Sequence, residues 1–190
     1  MAVLETLTFV MLGGWVLFEI SLIVRDRRHG KGSYSADRGT WLVNALLVVG
    51  TVENSSILSV IFHVLVVPGA IWFRSVGLVI IGFGLALRMW AITTLGAAFR
   101  TTVEVDQNQS VVTEGPYHWV RHPSYTGLLV ITLGFGVASS SWLFLVLCVV
   151  LPSVALLRRI KVEESEMVRV LGAPYRDYSA RTKRLVPGIW

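Results

Sequence analysis

The chain has 190 residues, of which 54% are hydrophobic and 15% charged, and its mean hydropathy is +0.65. This excludes an ordinary water-soluble domain and leaves room for one bundle of a few membrane helices, so the fold class read from the sequence is an all-α integral membrane protein. The formal net charge of +5 suits a surface resting against anionic lipid headgroups and needs no nucleic acid to explain it.

In chain order, the first apolar segment covers about 3–24 and ends at a basic cluster, Arg25, Arg27, Arg28 and Lys31. The extreme N-terminus lacks a basic leader region and the run is too long for a signal core, so this segment is expected to stay as a spanning helix. The second segment, about 40–67, is interrupted at Glu53 to Ser56 and closed by Pro68 and Gly69, so it is read as tilted or broken. The third covers about 70–95 and stops at Gly96. The fourth, 124–138, and the fifth, 142 to about 157, are separated only by Ser139, Ser140 and Ser141, which predicts an antiparallel helical hairpin. Beyond 157 the helical pattern continues through charged residues to a stop at Gly172, and a short helix over 175–182 follows Pro174. Five spanning helices with a C-terminal helical extension are therefore expected. The chain divides into residues 1–69, the first two helices, and residues 70–190, the remaining helices with their loop and tail.

With the first helix entering from outside, all Lys and Arg except Arg74 fall on one side of the membrane. The positive-inside rule makes that side the cytosol, with the N-terminus outside, the C-terminus inside, and the loop over 96–123 facing the cytosol with the tail. Two charges interrupt the apolar segments at matching depth: Glu19 lies five residues before the end of the first, and Arg88 seven before the end of the third. Both sit roughly 7–11 Å below the inner boundary, and a pair between the two helices is expected; otherwise Arg88 reaches a pocket and Glu19 snorkels to the interface.

Polar chemistry concentrates in 115–127, which holds His118, His122, Arg121, Tyr117 and Tyr125 directly before the fourth apolar run. Pro123 suits the first turn of a helix, placing His122 at its N-cap, and free N–H groups at that end favour an anionic ligand. The same residue types also serve as an interfacial anchor. The single Cys148 cannot form an intrachain disulfide, and four His without Cys partners or His-x-x-x-His spacing give no expectation of a metal.

Five stretches stand in a telling order: Leu-Arg-x-Trp-Ala (87–91), Thr-Leu-Gly-x-x-Phe (94–99), Gly-Pro-Tyr-x-x-x-Arg-His-Pro-Ser-Tyr-x-Gly (115–127), Arg-Ile-x-x-Glu-Glu (159–164) and Leu-Gly-x-x-Tyr-x-x-Tyr-x-x-x-Thr-x-Arg-Leu-x-Pro (171–187). Together they resemble the isoprenylcysteine carboxyl methyltransferase family, and membrane phospholipid N-methyltransferases share part of the pattern. The resemblance covers about residues 77–190. It implies S-adenosylmethionine as methyl donor and a cytosolic pocket formed by the Arg-His-Pro stretch, the Glu-Glu helix and the tail. It also implies a membrane-delivered acceptor, lipidic or small. On that basis His122, Pro123, Tyr125, Glu164, Tyr117 and Tyr178 are the candidate donor-binding residues. Glu163 or Glu164 would meet the ribose diol or ammonium, and His122 the carboxylate; the three tyrosines serve equally as packing. Arg121, Arg184 and Glu163 are the candidate catalytic residues, the arginines orienting an acceptor carboxylate, although Arg184 also reads as a phosphate-facing tail residue. Two other acceptors, an amine on a phospholipid and a small thiol, stay open, as do a sterol-reductase-like enzyme using NADPH and a non-catalytic scaffold.

Overall fold

The structure, a computed structural model, describes residues 2–28, 70–100, 105 and 109–188. The second apolar segment, 40–67, lies outside the described residues. The described chain forms helices α1 (Ala2–Arg28), α2 (Ala70–Leu95), α3 (Pro123–Ala138), α4 (Trp142–Leu171) and α5 (Ala173–Arg181), with short 3-10 turns at Gly96–Ala98 and Gly115–His118. The all-α integral membrane fold is as the sequence predicts: α1, α2 and α4 are long and apolar enough to cross a bilayer. The fifth segment and its charged continuation are one 30-residue helix, closed by Gly172 at φ 65°. Pro152 lies inside that helix, where it removes one main-chain hydrogen bond.

At 16 residues α3 is shorter than a full span, about 24 Å against a hydrocarbon core of about 30 Å. Its first turn is bonded to Arg88, seven residues or about 10 Å before the end of α2. The polar start of α3 is therefore set about two turns below the end of α2. The connection to α4 is tight, as expected of three serines. Ser140 takes φ 56°, and Ser141 caps α4 by accepting a hydrogen bond from the Phe144 N–H.

The core is shared by all four long helices. Leu12 and Trp15 of α1, Ile81 of α2, Leu128, Ile131 and Phe135 of α3, and Leu156 of α4 form one buried cluster. What brings α2 and α3 together is glycine. A Cβ on Gly77 would lie 2.6 Å from the Ala138 Cβ, on Gly84 2.8 Å from the Ile131 nitrogen, on Gly127 2.8 Å from the Arg88 nitrogen, and on Gly134 2.8 Å from the Ile81 nitrogen. In lipid, helix association depends on this kind of van der Waals approach, because lipid tails are as apolar as leucine. Both glycine pairs are seven residues apart, so each helix presents them on one face. Gly127 sits one turn into α3, and its bare Cα is what lets the main chain at Arg88 lie against it.

Gly134→Leu should lower the detergent-solubilised protein's unfolding temperature by several degrees, since overpacking costs about 1–3 kcal/mol even where neighbours can move and here they are main chain. Gly82→Leu, where no described atom lies within 4 Å, should not. Equal melting temperatures in the two variants would reject the glycine contact as the basis of α2–α3 association.

Candidate active site

Pro123 starts α3 and His122 caps it, as expected. The capping is by main chain: the His122 carbonyl accepts from the Tyr125 and Thr126 N–H groups, and its ring makes no cap hydrogen bond. The ring instead stacks on Tyr125, with centroids 5.5 Å apart and planes at 13°. Three groups of charges are arranged around this turn.

The first joins α1, α2 and α3. Arg88 Nε donates to Glu19 Oε1 at 2.7 Å and Nη2 to Glu19 Oε2 at 2.9 Å, while Nη1 donates to the Ser124 hydroxyl at 2.8 Å and carbonyl at 3.2 Å. Both charged residues are buried, at 3% and 5% exposure. The pair expected from matching depth is present, and Arg88 also lines a cavity.

The second joins α3 and α4. Tyr125 Oη donates to Glu163 Oε2 at 2.6 Å and accepts from Arg159 Nε at 2.8 Å, with the Arg159 guanidinium 5.7 Å from the Tyr125 ring centroid. This fixes the rotamer of Glu163 while committing one of its oxygens.

The third ties the tail down. Glu164 Oε1 accepts from Arg121 Nε at 2.8 Å and lies 3.3 Å from His122 Nε2, and Oε2 accepts from Arg184 Nε at 3.0 Å. Arg121 Nη1 donates in addition to the carbonyls of Ser179 and Thr182. Main-chain bonds run alongside: Arg121 N–H to the Lys183 carbonyl at 2.8 Å, His122 N–H to the Arg184 carbonyl at 3.0 Å, and the Thr126 hydroxyl to the Leu185 carbonyl at 2.8 Å. The Tyr178 hydroxyl donates to the Tyr117 carbonyl at 2.7 Å.

These groups border an open cavity of about 1160 Å³, counting the space continuous with solvent. Of the sequence-predicted residues, Tyr117, Arg121, His122, Tyr125, Glu163 and Tyr178 line it; Pro123, Glu164 and Arg184 are not among its described lining. Adjacent residues on a helix point about 100° apart, which is why the two glutamates face different partners. Arg88, Arg159, Glu19 and Ser124 join the lining, Val111, Val112, Met167 and Leu171 supply an apolar wall, and Tyr175 lines it as well. Arg88 was the alternative pocket contact in the sequence reading, and Arg159 opens the Arg-Ile-x-x-Glu-Glu stretch. Leu171 and Tyr175 belong to the quoted stretch over 171–187, whereas Val111, Val112 and Met167 carry no motif signal.

Burial pushes the Tyr178 phenol up to about 12. It raises those of Tyr117 and Tyr175 as well, helped by the negative charge of Glu163 near the former and Glu164 near the latter. All three hydroxyls therefore remain protonated donors across the physiological range.

The same residues carry the comparison with known proteins. The model of the isoprenylcysteine carboxyl methyltransferase family matches residues 76–169. Protein-S-isoprenylcysteine O-methyltransferase B of Arabidopsis thaliana is 31% identical over 139 residues, 70% of this chain and 71% of the relative. The chain belongs to the isoprenylcysteine carboxyl methyltransferase family. Protein-S-isoprenylcysteine O-methyltransferase of Xenopus laevis is 32% identical over 120 residues, 62% of this chain and 42% of that longer protein, so the match spans less than half of its length. The fold agrees with the solved structure of a eukaryotic intramembrane Ras methyltransferase of the same family, with a TM-score of 0.68 over 96% of this chain and 68% of that one at 24% identity. The protein is thus a multi-pass integral membrane member of a methyltransferase family.

Glu164→Gln should loosen the tail. Each charge-assisted bond lost costs about 1.5–3 kcal/mol, and the amide presents N–H groups to guanidiniums that have none to accept with. Amide exchange over residues 173–187 should accelerate by about tenfold or more. Exchange at the wild-type rate would show that Glu164 does not hold the tail.

Proposed function

We propose that this protein transfers the methyl group of S-adenosylmethionine to the carboxylate of a lipidic acceptor of the isoprenylcysteine type, from a cavity facing the cytosol. The observation that carries this reading is that Glu163 and the guanidiniums of Arg88 and Arg159 are all tied to the first turn of α3 inside one cavity, in a chain of this family.

The residues present fit the donor. It brings an ammonium and ribose diol for a carboxylate, a carboxylate for N–H and O–H donors, and an adenine for an apolar wall. When bound, S-adenosylmethionine supplies an electrophilic methyl on a sulfonium cation. Glu163, steadied by Tyr125 and Arg159, is placed to accept from the ammonium or the diol, and its Oε1 has no described partner. The protonated phenols of Tyr117 and Tyr175 supply donors, with Val111, Val112, Met167 and Leu171 as the apolar wall.

For the acceptor, a carboxylate is already a nucleophile and needs no base, so the protein's work is orientation and exclusion of water. Arg121 and Arg184 were the expected orienting cations. Arg121 also lines the cavity, but its Nε and Nη1 are given to Glu164 and two tail carbonyls, so we assign it, with Glu164, His122 and Arg184, to positioning the tail beside the cavity. Arg88 and Arg159 line the cavity and take the orienting role. The core of transfer is assigned to residues 70–190, and residues 1–69 to the lipid and acceptor side. The near-complete segregation of basic residues supports a cytosolic tail and active site.

Inverted membrane vesicles supplied with membrane-impermeant, methyl-labelled S-adenosylmethionine should bind it at the exposed cytosolic face, right-side-out vesicles should not, and NADPH should not compete. Glu163→Gln should weaken that binding about ten- to a hundredfold. Displacement by NADPH, or donor affinity unchanged by the substitution, would reject the donor site.

A further inference from the structure

Glu19 belongs to α1, outside the residues matched by the family model, yet it lines the same cavity. Its two oxygens hold Arg88 side-on, at 2.7 Å to Nε and 2.9 Å to Nη2, and Ser124 takes Nη1. The guanidinium is thereby fixed from two directions and its charge is balanced one for one. Nη2 keeps a second N–H beyond the one given to Glu19.

We propose that Glu19 is a positioning residue for the methyl acceptor: it aims Arg88 at the acceptor carboxylate and tempers its charge, so that the carboxylate is oriented without being trapped. This rests on the carboxylate-acceptor reading above. The acceptor oxygen starts as an anion and loses its charge as its bond to the methyl carbon forms; the pair of the breaking sulfur–carbon bond stays on sulfur, which becomes neutral, and no proton moves. A step that annihilates charge is slowed by any cation that stabilises the starting anion more than the partly neutral transition state. A bare guanidinium in a low-dielectric cavity does that strongly. A guanidinium already carrying a carboxylate on one edge offers direction with a much shallower well. A pair serving stability alone has no need to stand on a cavity wall, and buried ion pairs are commonly replaceable by uncharged side chains without loss of stability. Here the pair shares its turn of α3 with Tyr125, which steadies Glu163.

The test uses the purified full chain in lipid nanodiscs, the variants Glu19→Gln and Glu19→Gln/Arg88→Gln, and two probes, amine-capped S-farnesylcysteine and its carboxamide. Donor-free binding of each probe is measured, then kcat and KM with the carboxylate. Glu19→Gln should bind the carboxylate about tenfold tighter with carboxamide affinity unchanged, and KM and kcat should fall together. The double variant, with both charges gone and Arg159 still in place, should lose most of the wild-type preference for the carboxylate over the carboxamide. A merely structural pair behaves differently: Glu19→Gln raises KM along with thermal instability, and the double variant keeps the wild-type preference for the carboxylate. Either result overturns the proposal, and if Glu19→Gln does not fold, the double variant decides alone. Wild-type protein that turns over no farnesylcysteine carboxylate would overturn the functional reading and this inference with it. Wild-type turnover with unshifted binding in the variants would reject the role of Glu19 alone.

Discussion

A charge set below the membrane surface is costly unless it is paired, and the first turn of α3 is where this chain meets that constraint three times over. Ser124 helps to hold Arg88 against Glu19, Tyr125 stands between Arg159 and Glu163, and Arg121 with His122 meets Glu164. Each pairing joins a different set of elements to the same few residues. The turn is therefore both the structural junction of α1, α2, α4 and the tail and the polar wall of the cavity. Arrangement of the site and burial of its charges are one problem with one solution.

The junction depends on an apolar contact deeper in the membrane. Because Gly77, Gly84, Gly127 and Gly134 remove the side chains between α2 and α3, the main chain at Arg88 lies against Gly127 and its guanidinium reaches Ser124. The shortness of α3 does the rest, since a longer helix would lift its polar N-terminus out to the surface. Packing in the hydrocarbon thus sets the depth of the chemistry. The methyl transfer proposed for this family member asks mainly for orientation, and side chains fixed by paired charges about 10 Å beneath the end of α2 supply it.

Much of this was legible in the sequence because it is written in local signals. Apolar run lengths mark α1, α2 and α4, three serines mark the hairpin, Pro123 marks the start of α3, and Gly172 marks the end of α4. Counting residues from the segment ends was enough to pair Glu19 with Arg88, since parallel helices convert sequence offset into depth. What was not legible depends on contacts between distant stretches. The resemblance brought the tail to the Arg-His-Pro stretch, but the main-chain bonds that fix it there have no residue signature. The seven-residue glycine spacing is visible in the sequence, but it becomes a contact only when the partner helix carries the same spacing. Glu163 and Glu164 are chemically identical neighbours, and only the helix rotation sends one to the cavity and the other to the tail. The second apolar segment, with Glu53, lies outside the described residues.

The central claim is that the acceptor atom is a carboxylate oxygen, and the chemical stability of the product tests it most directly. Purified protein incubated with methyl-labelled S-adenosylmethionine and a farnesylcysteine carboxylate should yield a labelled lipidic product that releases volatile methanol on mild alkaline hydrolysis, as a methyl ester must. Label that stays with the lipid through alkali would mark a methylated amine or thioether and contradict the account.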